Sequence, residues 1–135
     1  MAIKVPNVGK LWILNLFRAD FNGYSIRLFQ NDLTPGNLTV LGDITEANFS
    51  GYVSKTLANS TPAVIDVSNK ALTIWDPLLW SHNGGATANS IYGYYVLDGT
   101  GGLVYIERDP SAPVSMSMLG STYVVNPRLT VDSEF

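Results

Sequence analysis

Hydrophobic residues crowd the start of this chain and then spread into alternation. Between Asn7 and the Asp20-Phe21-Asn22-Gly23 breaker lie Leu11, Trp12, Ile13, Leu14, Leu16 and Phe17. Asn7 is a capping residue type, and cap, run and breaker together predict a short N-terminal helix. Periodicity alone also accommodates a fully buried strand at this length. As a helix it is apolar on nearly every side, so it needs cover from its own domain or from a neighbour.

Beyond Gly23 the period drops to two. Tyr24, Ile26 and Leu28 fall on one face of a predicted strand, with Ser25, Arg27 and Phe29 on the other. Asn31–Asn37 contains Pro35-Gly36 and reads as a loop. Further strands are predicted over Tyr52–Leu57, Ala63–Val67, Ala71–Trp75, Ile91–Leu97, Leu103–Arg108, Val114–Met118, Tyr123–Val125 and Arg128–Val131. The clearest hairpin joins Ile91–Leu97 to Leu103–Arg108 through Asp98-Gly-Thr-Gly-Gly102. Short strands at this spacing predict an all-β fold: an antiparallel β-sandwich, jelly-roll-like, preceded by a short helix. The expected organisation is one compact domain, with residues 1–23 as arm and apolar helix and residues 24–135 as the sandwich.

Composition narrows the partners. Of 135 residues, 46% are hydrophobic and only 14% charged, too apolar for a disordered tail. The net charge is −3 and the pI about 4.8. Four Lys and four Arg, thinly spread, give no basic patch, so nucleic acid is not an expected partner. Absence of cysteine removes disulfides, thiolate catalysis and Cys-ligated zinc together. No apolar run reaches membrane-spanning length, and Met1-Ala-Ile-Lys-Val-Pro has no export-signal pattern, so neither membrane nor export is expected. Low surface charge suits burial against other proteins.

Candidate chemistry is sparse. His82 sits in Ser-His-Asn-Gly-Gly without companion ligands or a nucleophile elbow, and reads as an exposed loop histidine. Asp32, Asp43, Glu46, Glu107 and Asp109 are loop or strand-end acids, and a glycosidase pair or a calcium loop would need them to converge. Asp98–Gly102 resembles a phosphate loop superficially, but a strand follows it, so a hairpin turn explains the glycines. N-x-S/T triplets at Asn37, Asn48 and Asn59 read as chance in an Asn/Ser/Thr-rich β protein. No catalytic residue, metal or cofactor is expected. Trp75, Trp80, Tyr92 and Tyr94 could form an aromatic platform for sugar rings. Alternatively Tyr92, Tyr94 and Val96 face the core while Tyr95 and Leu97 face a neighbour.

Several stretches in order resemble a family of small virion structural proteins of tailed bacteriophages. They are Ser25-Ile-Arg-Leu-Phe-Gln-Asn-Asp32, Ile44-Thr-Glu-Ala-Asn-Phe-Ser-Gly-Tyr52, Ile91-Tyr-Gly-Tyr-Tyr-Val-Leu-Asp98, Leu103-Val-Tyr-Ile-Glu-Arg108 and Pro127-Arg-Leu-Thr-Val131. The resemblance implies a minor capsid, decoration (cement) or tail-associated role without catalytic residues. On this basis the expectation is a decoration protein on the head surface, a trimer that clamps adjacent capsomers. Its partners would be the major capsid protein and its own copies. The Met1–Lys10 arm with Leu11, Trp12, Leu14, Leu16 and Phe17 would supply contacts, and Phe29 and Tyr95 would be face residues. The alternatives are a tail or head–tail connector component and a carbohydrate-binding host-attachment module.

Overall fold

The computed structural model describes residues 3–132, so the first two residues of the Met1–Lys10 arm lie outside the described region. The described residues form an all-β fold of short antiparallel strands preceded by one α-helix. They group into two compact units. One contains residues 3–23, 57–77 and 126–132; the other contains Tyr24–Thr56 and Leu78–Val125. Two later segments, residues 57–77 and 126–132, group with the helix.

In the first unit, helix α1 (Asn7–Phe21) lies on an antiparallel sheet of β3 (Val64–Ile65), β4 (Ala71–Ile74) and β11 (Arg128–Val131), with β4 in the middle. Leu14 is fully buried against Ala71 and Val131, and Leu11, Ile13, Ala63, Ile65 and Leu129 close around them. Asn7 does not cap the helix. Pro6 occupies that place, with the extended backbone and fixed φ that suit it, and makes no side-chain cap bond. Asn7 Oδ1 instead accepts a hydrogen bond from Lys10 Nζ at 3.1 Å, and the same buried ammonium donates to the Asn69 carbonyl. Both bonds offset the desolvation of the charge. Helix α1 ends where Gly23 takes φ +89 and its N–H donates to the Leu57 carbonyl at 2.8 Å.

In the second unit, β1 (Ser25–Phe29) and β7 (Gly93–Leu97) are the inner strands of a four-stranded antiparallel sheet. Their outer neighbours are β2 (Lys55–Thr56) and β8 (Leu103–Arg108). The β7–β8 connection is the predicted hairpin. The Asp98 carboxylate accepts from the Thr100 hydroxyl and from the Thr100 and Gly102 amides, which explains the glycine-rich turn. Two-stranded ladders join β5 (Leu78–Ser81) to β10 (Thr122–Val125) and β6 (Asn89–Ile91) to β9 (Val114–Met116).

The stretch predicted as one strand from Ile91 to Leu97 changes partners at Tyr92. Before it, β6 pairs with β9; after it, β7 pairs with β1 and β8. A strand that switches ladders in this way makes a corner. All five residues of β7 are buried, because the strand is central and covered on both faces. The expected division into a core face and a neighbour-facing side with Tyr95 and Leu97 therefore does not hold. Tyr95, Leu97 and Phe29 form a cluster closed by Leu33, Ile44, Tyr92, Leu103 and Ile106.

Candidate functional site

The surface feature with the strongest physical signature is the outward side of α1. With Leu14 turned into the sheet, residues about half a turn round the helix face solvent. Val8 is 80% exposed and Trp12 66%, and Leu16 and Ala19 continue the same side. Val8, Trp12 and Leu16 are spaced four apart, which makes one ridge along the helix. Phe17 flanks it, also exposed, with its ring stacked on Phe21 at 6.3 Å; Phe21 in turn stacks on Trp75 at 6.2 Å.

The ridge carries little charge. Lys10 points inward, and Arg18 is drawn to the Ser60 carbonyl and hydroxyl and to Asn15 Oδ1. Asp20 lies at the C-terminal end of the row. The outer side of the helix is therefore an apolar strip on the order of 400 Å², the size of the largest such patch on a typical small monomer, which is often functional.

The expected interface residues separate accordingly. Trp12, Leu16 and Phe17 lie on the strip, and Leu11 is half-buried at its edge. Leu14, Phe29 and Tyr95 are interior, where no neighbouring chain reaches them. Val8 belongs to the strip as well, the one residue of the expected Met1–Lys10 contact arm that lies on the ridge, four positions before Trp12.

The aromatic platform is absent as an exposed surface. Trp75 is buried, and its Nε1–H donates to Asn22 Oδ1 at 3.0 Å. Trp80 is 2% exposed; its Nε1–H donates to the Val53 carbonyl at 2.7 Å, and Lys55 Nζ lies 5.6 Å from its ring centre. Tyr94 is buried edge-on to Tyr105, and its hydroxyl donates to Glu107 at 2.9 Å. Tyr92 is half-buried beneath the Arg108 guanidinium. With both indoles and Tyr94 inside, these residues offer no shared face for a sugar ring to stack on.

His82 also departs from expectation. It is buried, with its ring parallel to Phe49 at 6.0 Å. Nδ1 accepts the Gly84 N–H at 3.0 Å, so Nε2 carries the proton and donates to the Thr87 carbonyl at 2.9 Å. The carboxylates are engaged as well. Asp32 pairs with Arg108 at 2.6 Å, and Glu46 takes Arg27 at 3.1 Å and the Tyr52 hydroxyl at 3.0 Å. Asp109 accepts from the Tyr123 hydroxyl at 2.7 Å, and Asp43 from the Val40 amide at 3.0 Å.

Burial raises the hydroxyls of Tyr94 and Tyr123, with help from the nearby Glu107 and Asp109 carboxylates. Among the described residues, no three His, Asp or Glu side chains converge as a metal site, and no helix is long and apolar enough to cross a membrane. No family model, curated protein or solved structure matches the chain.

Proposed function

We propose that this protein is a structural component of a virion, a capsid decoration protein held on the head by the outer strip of α1. The observation that carries the reading is the strip itself: Val8, Trp12, Leu16 and Phe17 exposed along one helix with almost no charge among them. At about 25 cal/mol per Å², leaving it in water forgoes on the order of 10 kcal/mol of burial. The resemblance of Ser25–Asp32, Ile44–Tyr52 and Ile91–Asp98 to small tailed-phage structural proteins supplies the setting.

Size selects the kind of neighbour. Two such strips face to face bury on the order of 800 Å², below what a stable isolated dimer needs. A shell repeats one modest contact many times, and linked weak contacts hold far more firmly than any one alone. The proposed occupant is therefore the major capsid protein, met at many equivalent places, with contacts between copies adding to it.

The test is the copy number and position of the chain in purified particles, by quantitative mass spectrometry and electron cryomicroscopy. Hundreds of copies on the head, with loss of Trp12→Ser protein from particles, are expected. A few copies at the tail or neck would overturn the decoration reading in favour of a connector role. Undiminished incorporation of Trp12→Ser with Leu16→Ser would remove the strip as the contact.

A further inference from the structure

We propose that Asn83 is a self-modifying residue, converted to aspartate and isoaspartate through a cyclic imide by groups that the fold places around it. Asn83 is exposed and is followed by Gly84, whose missing side chain leaves the attacking nitrogen unhindered. Such a cyclisation needs the Gly84 amide proton removed and negative charge accepted on Asn83 Oδ1.

Both needs are met. The Gly84 N–H points at His82 Nδ1, 3.0 Å away, and the Gly85 N–H donates to Asn83 Oδ1 at 3.0 Å. The basic lone pair of the imidazole is fixed in direction, because Nε2–H is committed to the Thr87 carbonyl and the ring is held against Phe49. A base aimed at the nucleophile's proton and a donor already on the developing oxyanion are the two components of acyl-transfer catalysis.

In the first step His82 Nδ1 takes the amide proton as the Gly84 nitrogen attacks Asn83 Cγ. The carbonyl electron pair moves onto Oδ1, which the Gly85 N–H stabilises. Collapse of this adduct breaks the Cγ–Nδ2 bond. Nδ2 leaves as ammonia, carrying the proton returned by the imidazolium. Water then opens the imide at either carbonyl to give aspartate or isoaspartate. The net change is addition of one water and loss of one ammonia, with no change of oxidation state.

The chain contains its own control. Asn22-Gly23 has the same dipeptide, but Asn22 Oδ1 accepts from Trp75 Nε1 and its Nδ2 donates to the Ser60 hydroxyl at 3.2 Å. The Gly23 N–H is bonded to the Leu57 carbonyl, which is not a base at neutral pH. Asn22 is held and has no proton acceptor.

The experiment incubates the full chain at neutral pH and follows both sites by peptide-mapping mass spectrometry. A parallel sample is kept unfolded in urea. Folded Asn83 is expected to convert about a hundredfold faster than folded Asn22, and faster than Asn83 in urea, at the low end of what a positioned base contributes. His82→Gln is expected to abolish the advantage. Folded Asn83 converting no faster than in urea would overturn the proposal, and this comparison stands even if the His82 variant does not fold. Isoaspartate-specific methylation identifies the second product.

Discussion

At residue scale, the positions with least freedom are those where backbone groups depend on one side chain or tolerate none. The His82 ring is the partner of both the Gly84 N–H and the Thr87 carbonyl and fills space beside Phe49. His82→Ala removes all three at once and is expected to cost about 3 kcal/mol, measured by urea unfolding. Gly93 is fixed for the opposite reason. A β-carbon there would lie 2.1 Å from the Glu107 carbonyl oxygen and 2.7 Å from the Phe29 ring. Backbone cannot retreat from a central strand, so Gly93→Ala should cost about 3 kcal/mol or more. An unchanged unfolding midpoint would show that β7 and β8 separate easily. Neither constraint was legible in the sequence. A histidine among Ser, Asn and Gly looks solvated, and its burial depends on Phe49, far away in the chain. Trp75 and Trp80 misled for the same reason: an indole N–H satisfied by Asn22 or by Val53 can go fully inside.

At the scale of single elements, α1 and the β7–β8 hairpin were readable because their signals are local. A dense apolar run ended by Asn-Gly marks a helix, and alternation ended by Asp-Gly-Thr-Gly-Gly marks a hairpin. Strand β5 was not readable: Leu78–Ser81 follows Pro77 without alternation, and β10 completes it from forty residues onward. The candidate strip was half legible, since run composition identifies apolar residues but only the sheet beneath decides which of them turn outward. That decision gives α1 two kinds of leucine. Leu14→Ala opens the packing on Ala71 and Val131 and is expected to cost about 3 kcal/mol of stability. Leu16→Ser should change stability by no more than about 0.5 kcal/mol, because the side chain is half in water already, and should act on particle attachment instead. Thermal unfolding of the two variants, beside their incorporation into particles, separates core from contact.

At the scale of the whole molecule, the distribution of tyrosines sets a response to alkali. Tyr52, Tyr94, Tyr95, Tyr105 and Tyr123 all belong to the unit built on β1 and β7, and burial is the main cause raising each of their hydroxyls. Tyr95 is pushed up to about 12, with the Glu46 charge adding to burial and Arg27 opposing it; Tyr105 also reaches about 12. Tyr52, Tyr94 and Tyr123 are raised further. A phenol raised in the folded state keeps its proton when the unfolded chain has lost its own. The stability it contributes is complete below the ordinary phenol value near 10 and is lost as pH climbs toward the folded value. Between those limits each tyrosine removes up to about 1.4 kcal/mol per pH step, and the five together up to about 7. Against a typical total of about 5–15 kcal/mol, unfolding of this unit is expected by about pH 12. Tyrosinate absorbance from the five should then rise together with loss of β circular dichroism, in one steep transition. Tyr95→Phe should reduce the protons released in that transition by about one, a flattening visible in the pH slope. Absorbance that develops gradually from about pH 10 while the β signal persists would show these hydroxyls open to water, and the packing around β7 looser than the Phe29–Tyr95–Leu97 cluster requires.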